Sequence, residues 1–98
     1  MALLFRWDQR KAKANLLKHG ISFEEASSAF GDPLSITIED VDHSFGENRY
    51  ILLGETLEHD LVIVAHTDSN GEIRIISARI ATKQERRSYE TGKTRSKG

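Results

Sequence analysis

Ninety-eight residues without a single cysteine allow one domain with one core, and exclude a disulfide framework and thiolate chemistry. No apolar run is long enough to span a membrane and Met1–Trp7 is too short for a secretory signal, so the expected setting is the cytoplasm. The formal net charge of −1 hides a segregation: residues 1–20 carry five bases against Asp8, residues 21–72 carry twelve acids against Arg49, and residues 73–98 carry eight bases against Glu85 and Glu90. Two basic ends that meet in space make one basic face; two that do not simply solvate exposed helices.

In chain order, Leu3–Trp7 is a short apolar run suited to an edge strand. Asp8 stands where a helix N-cap belongs, and Gly20 ends the helix predicted over Gln9–His19. That helix puts Ala12 and Leu16 on one face, with Leu17 close by, and Lys11, Asn15 and Lys18 in a polar stripe on another. Ser22 and Glu25 form a capping box for a second helix, which turns Phe23, Ala26 and Phe30 inward and stops at Gly31 before Pro33.

From Leu34 the period becomes two. Leu34, Ile36 and Ile38 describe a half-buried strand, Asp40–Gly46 an acidic loop with His43, Arg49–Leu53 a second strand, and Leu61–Ala65 a central strand apolar on both faces. Asn70-Gly71 is a two-residue hairpin signal. It places Val64 opposite Ser77, Val62 opposite Arg79 and His66 opposite Ile75, so that His66 and Arg79 share a face. Thr82 and Glu85 make a further capping box, opening a short helix with almost no apolar stripe. The sum is an α+β domain over residues 1–90: two N-terminal helices, an antiparallel sheet of about four strands and a short C-terminal helix, followed by a disordered basic tail at 91–98.

The four histidines lack metal-ligand spacing, so neither a metal nor another cofactor is expected. The remaining polar groups suit phosphodiester cleavage without metal. Cleavage of RNA by its own 2′-OH requires a base, charge stabilisation at phosphorus and an acid for the leaving oxygen. Arginine binds phosphate oxygens bidentately, and histidine exchanges protons near neutral pH. Arg79, Arg86, His66 and Tyr89 can supply these parts, with Lys11 and Lys18 gripping the backbone. The bland alternatives stand beside them: Arg79 in a structural ion pair with Glu85, Tyr89 as a packing tether, His66 as a satisfied core histidine, and Glu47 with Arg49 as a cross-strand pair. Spacing and composition carry the reading to a small α+β domain with a candidate nucleic-acid surface, and no further.

The run Trp7-Asp8, Lys11, Asn15, Lys18-His19-Gly20-Ile21-Ser22-Phe23-Glu24-Glu25-Ala26 resembles the opening of the BrnT family. Asp32-Pro33, Asp42-His43-Ser44, Glu47-Asn48-Arg49-Tyr50, His66-Thr67, Arg74–Arg79, Thr82, Glu85-Arg86 and Tyr89 extend the resemblance over residues 5–90. It implies a RelE-like fold and a ribosome-independent ribonuclease toxin of a type II toxin–antitoxin pair. It also implies a ribbon-helix-helix antitoxin partner resembling BrnA, with operator DNA bound only through the toxin–antitoxin complex. By the same resemblance Arg49, His66, Arg79, Arg86 and Tyr89 are the expected catalytic residues, while Lys11, Lys18 and Arg74 are the RNA-binding residues expected from their own charge and placement. The alternative is a degenerate, non-catalytic toxin that only binds its antitoxin as corepressor.

Overall fold

The computed structural model describes residues 3–97, with side chains through residue 92. The elements are β1 (Leu4–Arg6), α1 (Gln9–His19), α2 (Phe23–Ser28) with a 3-10 turn at Ala29–Gly31, β2 (Ile36–Glu39), a 3-10 turn at Val41–His43, β3 (Arg49–Glu55), β4 (Leu61–Ser69), β5 (Glu72–Ile80) and α3 (Lys83–Lys97). No helix among the described residues is long and apolar enough to cross a membrane.

The predicted caps form where short-range chemistry dictates them. The Asp8 carboxylate accepts the Arg10 and Lys11 N–H groups at 2.8 and 3.2 Å, and Ser22 Oγ accepts the Glu25 N–H at 3.0 Å. Only the box at Thr82 closes in both directions: Thr82 N–H donates to Glu85 Oε1 at 2.8 Å and Glu85 N–H to Thr82 Oγ at 3.1 Å. The side chain of Glu25 turns instead to Thr56, whose hydroxyl donates to it at 3.0 Å and so ties α2 to the end of β3.

The sheet departs from the expected antiparallel arrangement of about four strands. It has five strands in the order β1-β5-β4-β3-β2, and β1 pairs parallel with β5 through Leu4↔Glu72, Phe5↔Ile73 and Arg6↔Arg74. The Leu3–Trp7 run carries no hairpin signal to the strand it joins, which lies some two-thirds of the chain away.

The β4–β5 hairpin turns as predicted at Asn70 and Gly71, with φ of 54° and 84°. Its register follows expectation from Ser69↔Glu72 to His66↔Ile75 and then shifts: Ala65 pairs with Ser77, Val64 with Ala78 and Ile63 with Arg79, leaving Ile76 without an opposite residue. A regular strand cannot turn residues three apart to the same side. The bulge at Ile76 does so, and both Ile75 (1 % exposed) and Ala78 (0 %) reach the core.

That core lies on the face of the sheet covered by α1 and α2, and joins Ile21, Phe23, Ala26 and Ala29 to Leu52, Val62, Val64, Ile73, Ile75 and Ala78. Gly54 lets the turn after α2 lie against β3, since a Cβ there would stand 3.0 Å from the Ala29 carbonyl oxygen. A smaller cluster of Leu53, Leu61 and Tyr89 packs on the other face, beneath α3.

Three further expectations change. Asn15 belongs to the interior rather than to a solvated stripe, at 6 % exposure, while Leu16 and Leu17 are 49 % and 83 % exposed. β1 ends at Arg6, so β5 beyond Arg74 lacks a strand on that side. The Asn15 amide replaces it, donating to the Ala78 carbonyl at 2.8 Å and accepting the Ala78 N–H at 3.0 Å. Ile36 and Ile38 of β2 are 36 % and 59 % exposed, because no helix of the α1–α2 layer covers their side of the sheet. Finally, α3 continues to Lys97, past the expected start of the tail; it passes over β2, where a Cβ at Gly92 would meet Ile36 Cδ1 at 3.4 Å. Gly98 lies outside the described residues.

Candidate functional site

The face of the sheet opposite α1 and α2 is covered only where α3 crosses one end. Strand alternation brings Arg49, Thr67, Arg74 and Arg6 into one row on this open face, because each is the register partner of the next on β3, β4, β5 and β1. Neighbouring strands lie about 4.8 Å apart, so the row is about 14 Å long. Two of its guanidinium groups have acidic partners: Arg6 with Glu72 at 2.7 Å, and Arg74 with Glu47. Arg49, half-buried, has no side-chain partner among the described residues. A guanidinium in that situation attracts an anion without first giving up an ion pair.

The loop before β3 is fastened beside Arg49. Ser44 Oγ accepts the Arg49 N–H at 3.0 Å and donates to the Asp40 carbonyl at 2.7 Å, while Asp40 N–H donates to the Arg49 carbonyl at 2.8 Å. Within this loop His43 Nδ1 lies 2.9 Å from Asp40 Oδ2, leaving Nε2 without a partner among the described residues. The carboxylate fixes the ring and its tautomer, a common support for a histidine that transfers protons. In the sequence His43 is only one residue of an acidic loop, and its spacing of three from Asp40 is the signal that pairs them.

At the other end of the face, Arg79 forks onto Glu85, with Nη1–Oε1 at 2.8 Å and Nη2–Oε2 at 2.9 Å. Glu85 is also the capping residue of α3, and the Arg79 fork followed by the Thr82 N–H pulls its pKa down to about 2. The same bond raises the pKa of Arg79. The structural ion pair is therefore the realised alternative for this arginine, which anchors the start of α3.

Tyr89 is 6 % exposed and its hydroxyl donates to Asp32 Oδ2 at 2.7 Å. Burial and that carboxylate push its pKa up, opposite to what a phenol needs to act as a base. His66 lies on the other side of the sheet from Arg79, because the bulge at Ile76 changes the side to which Arg79 points. It is 3 % exposed, edge-on to Phe30 at 4.8 Å and stacked on Tyr50 at 5.9 Å, with Nδ1 donating to the Val64 carbonyl at 3.2 Å. Burial lowers its pKa, so it is a neutral core histidine.

Arg86 is exposed on α3, whereas Lys11 and Lys18 are exposed on α1, in the layer on the opposite face. Among the described residues the two basic ends of the chain thus meet only through Arg6 and Arg74, while Lys11 and Lys18 stay on the other side. Of the residues singled out in the sequence, the open face gathers Arg49, Arg74, Arg79 and Arg86, and leaves out His66, Lys11 and Lys18.

Two depressions mark this face. One, of about 320 Å³, lies between the apolar side chains Ile36, Ile38, Ile51 and Ile63 and the Arg79–Glu85 pair. The other, of about 370 Å³, lies at the β1 end of the arginine row and is lined by Arg6, Trp7, Asp8, Glu47, Thr67, Ser69, Glu72 and Arg74. Among the described residues no three histidine, aspartate or glutamate side chains form a metal-binding group.

A family model described as ribonuclease toxin, BrnT, of type II toxin–antitoxin system matches residues 7–85. No curated protein matches the chain. Among solved structures, the ribonuclease toxin BrnT of Brucella abortus superposes with a TM-score of 0.62 at 20% identity, over 84% of this chain and 100% of that one. At that identity the likeness is one of fold.

Proposed function

The chain belongs to the BrnT family of ribonuclease toxins of type II toxin–antitoxin systems, and from that premise we infer that it cleaves RNA on the open face of the sheet. The observation that carries this reading is the row Arg49–Thr67–Arg74–Arg6, with Arg49 free of an acidic partner among the described residues. Single-stranded RNA lies along the row, and Arg49 holds the non-bridging oxygens of the scissile phosphate, where charge grows as the 2′-oxygen attacks. The exposed Arg86 holds a neighbouring phosphate, and Arg74, paired with Glu47, adds positive charge beside the row.

His43, braced by Asp40, is a proton-transfer group carried by the loop that is clipped to the strand end bearing Arg49. The 2′-oxygen bonds to phosphorus as it loses its proton, the P–O5′ bond breaks, and O5′ leaves with a proton. The products are a 2′,3′-cyclic phosphate and a 5′-hydroxyl, and no metal takes part. Cutting cellular RNA in this way stops translation and growth.

An antitoxin is the partner that type II membership implies. A ribbon-helix-helix protein with an acidic arm suits this face. The exposed Ile36 and Ile38 on the outermost strand offer apolar contact, and Arg49 and Arg86 offer charge. Operator DNA then meets the toxin only through that complex.

The test is incubation of the purified chain with RNA in EDTA, reading cyclic-phosphate ends, for the parent and for Arg49→Ala and His43→Gln. The expected result is cleavage by the parent, a loss of about 10²-fold or more in Arg49→Ala, and loss of one limb of the pH–rate profile in His43→Gln. A parent chain that cuts no RNA while its antitoxin complex binds operator DNA would make it a non-catalytic corepressor instead.

A further inference from the structure

Trp7 and the carboxylates of the cavity beside it, Glu47 and Glu72, are not used by the cleavage reading. The cavity's charge is balanced toward the acidic side: Arg6 and Arg74 face Glu47, Glu72 and Asp8, and both arginines are already paired. A phosphate would have to displace a carboxylate to bind there. A neutral ring with N–H donors on its edge would not, because an ionised carboxylate that accepts from one arginine keeps further lone pairs for other donors. Trp7 supplies an aromatic wall whose ring is held edge-on against Phe23, with centroids 6.0 Å apart and planes at 78°. Ser69 and Thr67 add hydroxyls. At about 370 Å³ the space falls within the usual range of ligand pockets. Thr67 both lines the cavity and neighbours Arg49 in the row, so a base in the cavity leaves its phosphate toward the unpaired guanidinium.

We propose that this cavity is a nucleobase subsite: Trp7 stacks on the base next to the scissile phosphate, and Glu47 and Glu72 accept the N–H donors of its Watson–Crick edge. Guanine is the base it favours. Its N1–H and N2–H₂ groups stand side by side and meet a carboxylate together, whereas uracil sets its single N–H between two carbonyl oxygens that a carboxylate repels. The assignment rests on the open face being the RNA-cleaving surface.

Trp7 is the chain's single tryptophan, so a change in emission on adding a ligand can be assigned to this one indole at the cavity wall. The experiment titrates the full chain with each of the four ribonucleoside 5′-monophosphates, which contain no phosphodiester to cut, and with ribose 5-phosphate. The expected result is saturable quenching, with the guanine nucleotide half-saturating at a concentration about tenfold below that of the uracil nucleotide, and no response to ribose 5-phosphate. In Glu47→Gln the guanine preference shrinks. Silence with all nucleotides, or equal quenching by ribose 5-phosphate and the guanine nucleotide, overturns the subsite. Equal response to all four bases overturns the roles of Glu47 and Glu72. RNA cleavage with a silent Trp7 sinks the subsite and spares the nuclease; base-dependent quenching in a chain that cuts no RNA does the reverse.

Discussion

Arg49 and Arg79 project from the same sheet face, and their neighbours give them different work. Arg79 is held by a carboxylate that also caps α3, whereas Arg49 meets no acid among the described residues. Arg79→Ala should therefore cost stability, about 1 kcal/mol because the pair is partly exposed, seen as a melting temperature several degrees lower. Arg49→Ala should leave the melting temperature alone and remove cleavage. Tyr89→Phe makes the same distinction for the tyrosine. Losing the hydrogen bond to Asp32 should cost about 1 kcal/mol, while RNA cleavage, measured in parallel on the folded variant, should persist. If Tyr89→Phe folds and is inactive, the phenol acts on substrate and the tether reading falls.

At the scale of elements, the docking of α1 on β5 depends on one amide. Asn15 satisfies both backbone groups of Ala78 and donates to the Ile21 carbonyl at 3.0 Å. Asn15→Ala should leave these buried groups unpaired and cost about 3 kcal/mol or more in denaturant unfolding. Asn15→Asp, which also sets a negative charge against two carbonyls, should cost more still. This position shows where sequence reading reaches its limit. Asp8, Ser22 and Thr82 announce their helices because cap and partner lie three residues apart or closer, and the Asn70-Gly71 turn is equally local. Asn15 reads as polar surface because its partner is 63 residues away. The bulge at Ile76 is likewise hidden, being a settlement between Ile75 and Ala78 over the same core. Of the candidate site, Arg74 was legible as an arginine spent on a strand position, and Arg49 entered only through the family resemblance. Their alignment with Arg6 depended on a parallel pairing that no turn signal foretells.

The molecule as a whole carries its charge on two sides, with Lys11 and Lys18 in the α1 layer and Arg49, Arg74 and Arg86 on the open face. Its stability should also carry a pH signature. Burial, then the neighbouring Asp60 carboxyl, raises the pKa of Glu25 from 4.5 to about 7. The folded chain therefore keeps a proton there that the unfolded chain loses, and stability falls as pH rises from about 4.5 to about 7. His66 has the opposite sign: its lowered pKa gives stability that is complete above about 6.5 and is lost as pH falls below it. Glu85 adds a loss between about 4.5 and about 2. Glu25→Gln should match the parent near pH 4, exceed it near pH 8, and show the His66 limb unopposed between them, all measured by unfolding across pH. The bulge at Ile76 has one more consequence, for how this chain tolerates changes in length. It acts as a phase shift: residues before it on β5 keep one rhythm of inside and outside, and residues after it keep the other. Deleting Ile76 would leave Ser77, Ala78 and Arg79 opposite Ala65, Val64 and Ile63 as they are now, with Ala78 still inward and Arg79 still outward, and would remove only the bulge. A single codon lost at the bulge should thus be absorbed, whereas one lost from a regular stretch of strand would turn every later side chain to the other face.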